Sequence, residues 1–281
     1  MFKVMITLFV LLSAATLLGD PSATSPQYPW LEKYDAKASV GARFAPPAGY
    51  QRLAVEQGSF AQWLRGLPLK PGCPAILRYD GFETDDQQSH VAVIDMGVGR
   101  RDLQQCADSI IRLRAEYLYS AGRMDDIHFR FTSGQAAAWR KWSAGERPTV
   151  RGGQVAWARS AARNESYTNF HAYLEVVFTY AGTRSLNAEM NDVPAGGEVE
   201  IGDVLVQAGS PGHAVIVVDI AKHSRTGKRV LLIAQGFMPA QEMHIVKNPG
   251  NRDLSPWYEA DFSKPLQVPA WNFSREHLKR F

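Results

Sequence analysis

The segment GDVLVQAGSPGHAVIVVDI, residues 202–220, constrains this chain more than any other stretch. It carries two short β-branched runs, 204–206 and 214–220, with Ser210-Pro211-Gly212 between them as a turn. A third run, 230–234, follows after another Gly-bearing turn. Runs of this length and composition predict a meander of strands. With a side-chain period of two, His213, Val215, Val217 and Asp219 share one side of the second strand, and Ala214, Ile216 and Val218 share the other.

A helix is predicted just upstream, over 167–181. Phe170, Leu174, Val177, Phe178 and Ala181 mark one face, Ser166 caps the start and Gly182 the end. The residues after it, rich in Asn, Gly and Glu, read as a loop. In the first half, 75–79 and 91–96 have strand length and 127–132 alternates like a half-buried strand. Residues 101–120 read as an amphipathic helix, with Leu103, Cys106, Ala107, Ile110, Leu113 and Tyr117 at helical spacing. Residues 139–153 read as an irregular connection. A helix followed by a run of strands is an α+β pattern.

Composition narrows the class. Of 281 residues, 45% are apolar and 21% charged, which excludes disordered, collagen-like and coiled-coil chains. The net charge of +3 is too small to argue for a nucleic-acid partner. Residues 1–19 carry one charge, Lys3, and an apolar run of the kind found in secretory signal peptides. Residues 20–29 read as a flexible leader, and no later stretch has the length and apolarity of a membrane span. Export would place the chain where Cys73 and Cys106 can pair; two buried thiols are the other reading.

His213 begins a strand just after a Gly-containing turn, at a sheet rim where a ring is held by neighbours yet reaches a cleft. Gln235 ends the next strand and, on an antiparallel neighbour, would lie beside it and orient the imidazole. Spacing alone favours a polar rim without a reaction. Cys106 sits beside Leu103 and Ile110 on an apolar helix face, which favours a structural thiol over a nucleophile. Ser166 and Thr168 offer only hydroxyls, and Ser166 already serves as a cap. The seven His show no zinc-ligand spacing, and no phosphate-binding loop or nucleophile elbow occurs, so no cofactor and no metal is expected. His244 is placed to join His213 near the cleft. Trp257, Tyr258 and Trp271 in the Pro-rich tail are placed to line a groove or clamp the tail.

Two resemblances follow. The order helix, VVFTYAGTRSL (176–186), GDVLV (202–206) and PGHAVIVVD (211–219), with Gln235 beyond, resembles the papain-like cell-wall peptidases of the NlpC/P60 and CHAP type. That likeness implies a papain-like portion at about 155–281 with a Cys at a helix start, His213 as base and Gln235 as the third residue. Counting back from Gly182 puts the nucleophile position near Phe170, which cannot attack. The leading expectation is therefore a non-catalytic relative that binds peptidoglycan-derived peptide or glycan around His213. The alternative is an active amidase or peptidase with a relocated nucleophile such as Cys106. The strings DLQQCADSIIRLRAEYLY (102–119), FTSG (131–134), YAGTRSL (180–186) and FMPAQEMHI (237–245) resemble the bacterial family DUF4846. That resemblance implies one exported unit over about 30–281, periplasmic or extracellular, with no assigned reaction.

Overall fold

The structure, a computed structural model, describes residues 27–281. The signal-peptide expectation for 1–19 lies outside those residues. The leader expectation for 20–29 meets them at its end, where Tyr28 is buried against Trp30, Tyr34 and Trp63 and its hydroxyl donates to the Trp63 carbonyl. The chain is thus docked by Tyr28. Among the described residues no helix is long and apolar enough to cross a membrane.

The architecture is mixed α and β, dominated by one antiparallel sheet of nine strands. In chain order these are β1 (Tyr50–Arg52), β2 (His90–Val93), β3 (Asn191–Asp192), β4 (Val204–Gln207), β5 (His213–His223), β6 (Arg229–Gln235), β7 (His244–Val246), β8 (Trp257–Glu259) and β9 (Leu278–Arg280). The main path runs β2-β7-β6-β5-β4-β9-β3; β1 adds to the far end of β5 and β8 to the start of β6. The long helices are α1 (Cys106–Ser120) and α2 (Tyr167–Tyr180).

β5 organises the sheet because both its faces are buried. Ala214, Ile216 and Val218 enter a core with α1 residues Ile110 and Leu113; Val215 and Val217 enter a second core with Leu205, Leu231, Ile233 and Phe273. A strand buried on both sides reads as a continuous apolar run, which is what 214–220 shows. The strict alternation fails at one point. Leu232 pairs with Asp219 but Ile233 pairs with Val217, so Val218 is an extra residue in a bulge. Past the bulge Ile220 joins the second core and Ala221 the first. Asp219, wholly buried, accepts from Arg52 of β1 at 2.6 Å and from Arg65 of the helix Phe60–Arg65 at 2.7 Å.

α1 is buried on nearly every side and packs on β5. Its polar stripe at i, i+4 spacing survives burial by pairing. Arg112 donates to the Gln104 side chain at 2.6 Å, and Glu116 accepts from the Tyr167 hydroxyl at 2.8 Å. The helix begins at Cys106, five residues later than periodicity predicts. Gln105 is extended, and its amide donates to the Asp108 carboxylate at 3.2 Å, fixing the start there.

Three further expectations change. Residues 75–79 form no strand; Leu77 and Arg78 make only isolated bridges to Glu83 and Gln241. Residues 139–153 are ordered as a short helix, Trp139–Ser143, and the first arm of a hairpin, Glu146–Arg151 against Gln154–Arg159. The stretch after Gly182 is a helix, Thr183–Glu189. Because β1, β2 and α1 come from the first half, the sheet and its covering helix are not confined to 155–281.

Replacing Asp219 with Asn leaves two guanidinium groups facing a neutral side chain. Breaking a buried pair from one side costs about 3 kcal/mol, so urea unfolding of Asp219→Asn should show a loss of that order. A loss below about 1 kcal/mol would assign the clasp to the weak, surface-like class.

Candidate active site

The site is built at the rim where β5 begins and β6 ends. Cross-strand register sets Gln207 of β4 opposite His213, and Gln235 of β6 opposite His244 of β7. The His213 Nε2 to Gln235 Oε1 distance is 3.0 Å, and Gln235 Nε2 lies 3.2 Å from His244 Nε2. The His244 Nδ1 lies 3.0 Å from the Glu242 carbonyl. Three side chains on three adjacent strands thus form one hydrogen-bonded row. His213 and His244 are each only 1% exposed, so this row is shielded from solvent.

Aromatic rings wall in His213. Phe237, Trp271 and Phe273 place their centroids 5.0, 5.5 and 6.0 Å from the imidazole. Trp271 is fixed by its indole N–H, which donates to Gln207 at 3.0 Å. Burial holds the His213 imidazole below its ordinary range, with the Gln235 bond opposing that shift. His244 is pushed down to about 4, chiefly by burial; the neighbouring His90 adds to this and the Glu242 carbonyl opposes it.

Cys106 is brought to the same rim from the other layer. It is the first residue of α1, which packs on β5, and it lines one cleft with Gly212, the residue before His213. Burial pushes the Cys106 thiol up; the Ala214 amide and the helix-start amides act the other way. No hydrogen bond among the described residues joins the thiol to the His213 ring, whose Nδ1 has no partner among them. Two glycines at this rim are closely packed. A Cβ on Gly236, just after Gln235, would strike the Ser109 hydroxyl and sit 3.1 Å from the Gln105 carbonyl. A Cβ on Gly212, just before His213, would lie 2.5 Å from the Thr183 hydroxyl and 2.8 Å from the Gln207 carbonyl. A larger residue at Gly236 would hold α1 away from the rim, and one at Gly212 would press on the helix Thr183–Glu189 and the end of β4.

Cys106 opens on a cleft of about 620 Å³ lined by Gln105, Asp108, Thr183, Pro211, Gly212 and Met238, among others. Asp108 is a site residue the sequence did not single out. Burial raises its carboxyl well above the usual range, and its Oδ1 has no partner. Only its place two positions after a helix-start Cys pointed to it, and that start was itself misplaced by periodicity.

Phe170 is not at this site. Its ring neighbours are Tyr119, Trp139, Tyr167, His171 and Tyr173, none of which touches the His213 ring. α2 buries Phe170 as a core residue, so the position reached by counting back from Gly182 lies in the core and away from the His213 ring. Ser166 caps α2 by accepting from the Asn169 amide. Cys73 is exposed and Cys106 buried, and the two are not bonded.

The chain matches the family described as domain of unknown function 4846 (DUF4846) over residues 40–280. A match over most of the length shows membership: this chain belongs to the DUF4846 family. No curated protein matches it, and no solved structure matches it.

Two outcomes follow from these placements. Phe170→Leu removes part of a core aromatic and should lower stability by about 1–2 kcal/mol, while Cys106 alkylation by iodoacetamide stays unchanged; a large change in that rate would return Phe170 to the site. For His244, the folded state holds the imidazole near 4 and the unfolded state near its ordinary 6.5. Between those values the unfolded chain binds more protons. Stability contributed by the neutral ring is full above 6.5 and is lost as pH falls toward 4. Urea midpoints should drop over that window in the natural protein and drop less in His244→Gln.

Proposed function

We propose that this chain is an exported thiol hydrolase of the papain-like, NlpC/P60-like kind that cleaves amide bonds in cell-wall peptide. The observation that carries the reading is one cleft lined by both Cys106, at the start of α1, and Gly212, the residue before His213, with the His213 Nε2 held by Gln235. The chain order Cys, His, polar third residue on helix start, strand start and next strand end matches the arrangement the resemblance implies. The argument for a silent relative rested on Phe170 in the nucleophile position, and Phe170 lies in the core. The apolar start at 1–19 supports export.

In this reading His213 Nδ1 takes the thiol proton, and the Cys106 sulfur bonds to the scissile carbonyl carbon. The bond to the amine breaks, and the amine leaves with the proton from the imidazolium. Water, deprotonated by His213, then hydrolyses the thioester and restores the thiol. The Cys106 amide, first in α1, has no partner within the helix and is placed to donate to the developing oxyanion. With a raised thiol and a lowered imidazole, both groups rest neutral, so the proton moves when substrate seats and the thiol turns to the ring.

The test is release of fragments from peptidoglycan stem peptides, followed by mass spectrometry. Cys106→Ala and His213→Ala should each reduce turnover by about a thousandfold or more without altering the fold. Turnover surviving Cys106→Ala would exclude this nucleophile. No turnover by the natural protein, with peptide or glycan binding that depends on His213, would leave the binding reading in its place.

A further inference from the structure

We infer that His244 is a positioning residue that sets the proton on His213 by dictating which way the Gln235 amide points. This rests on the hydrolase reading for its consequence, but the geometry stands independently of any reaction.

Each link follows from what its atoms are able to do. A carbonyl oxygen only accepts, so the His244 Nδ1, 3.0 Å from the Glu242 carbonyl, carries a hydrogen. The ring is buried and neutral, so its Nε2 is then a bare acceptor. A bare acceptor 3.2 Å away demands the NH₂ end of Gln235. The Gln235 oxygen therefore faces His213 at 3.0 Å, and His213 must donate from Nε2. The proton of the neutral ring is thereby fixed on Nε2, and Nδ1 is left with its lone pair. That is the tautomer a base needs if Nδ1 is to accept from a thiol.

The reverse arrangement fails for a physical reason. Flipping the Gln235 amide would present its oxygen to His244 Nε2 and require a hydrogen there too. His244 would then hold hydrogens on both nitrogens, an imidazolium in a site where burial opposes charge. A backbone carbonyl at Glu242 thus specifies the protonation of a ring two side chains away. The titratable groups facing His244 do not upset this. His90 lies with its ring centroid 6.0 Å away and its own Nε2 turned to the Pro74 carbonyl; Asp86 and His213 are the other groups whose charge reaches it.

The experiment is nitrogen NMR of the full chain labelled with ¹⁵N-histidine, with the His213 signals assigned by their loss in His213→Gln. In the natural protein His213 should show hydrogen on Nε2 and none on Nδ1, and His244 the opposite. His244→Phe should let His213 sample both tautomers and slow Cys106 alkylation at neutral pH by about tenfold, with exposed Cys73 as the internal reference. His244→Gln, which restores an acceptor toward Gln235, should recover both readouts. Hydrogen on His213 Nδ1 in the natural protein overturns the inference, and so does an unchanged tautomer and rate in a folded His244→Phe. If His244→Phe does not fold, the tautomer of the natural protein decides alone. Tautomers as stated together with Cys106 reacting no differently from Cys73 would sink the hydrolase reading and leave this one standing.

Discussion

Burial of β5 on both faces is the constraint on which the rest of the molecule depends. One strand supplies apolar side chains to two separate cores, so a one-residue slip would exchange the contents of both at once. The bulge at Val218 adjusts the register midway, and Asp219 is clasped where the strand departs from simple alternation. Ahead of the bulge, pairing is regular with β6 as far as Ile216 and with β4 as far as His213 at the rim. His213 therefore inherits its position from a strand with almost no freedom to move. A general base, the role the proposed reading gives His213, gains from such a mount, because small displacements spoil the alignment of reacting atoms.

The rim joins parts that are distant in sequence and subject to different forces. The histidines and Gln235 are placed by cross-strand register. Cys106 is placed by a helix start that a single Asp108 carboxylate pins. At the rim stand Gly236, where any side chain would collide with α1, and Gly212, where one would strike Thr183 and the Gln207 carbonyl. The close fit of α1 to the sheet is thus a steric condition enforced at Gly236. The aromatic wall around His213 completes the enclosure and comes from the tail, through Trp271 and Phe273.

Much of this was legible in the sequence, and the failures have physical causes. The strands at 204–206, 214–220 and 230–234 were readable because β-branched runs bounded by Gly and Pro have few alternatives. The pairing of His213 with Gln235 was readable because antiparallel neighbours bring a strand start and the next strand end together. The start of α1 was not, because Leu103 continues the apolar period while the chain is still extended at Gln105. That shift of five residues turned a helix-start thiol into an apparent mid-helix one. The tail tryptophans gave no sign of which groove they would wall, since only tertiary contact decides it. His244 was visible as a neighbour of the site, but its hold on Gln235 requires the Glu242 carbonyl, which no side-chain pattern reveals.

The place of β9 in the sheet has a kinetic meaning. This strand, at Leu278–Arg280, lies between β4 and β3, and Lys279 reaches Asp192 across the pairing at 2.5 Å. β3 has no sheet neighbour until residues nearly ninety positions later arrive, since 279 − 192 is 87. On a chain made from its N-terminus, the half of the sheet beyond β4 is added last. Its pairings are non-local, though less so than those of β1 with β5 and β2 with β7, and loop closure must precede any reward from them. Until then the outer edge of β4 is a bare strand, open to a foreign partner. The sheet is thus complete only once residues 278–280 have been made, and until β9 docks β4 keeps an unpaired edge.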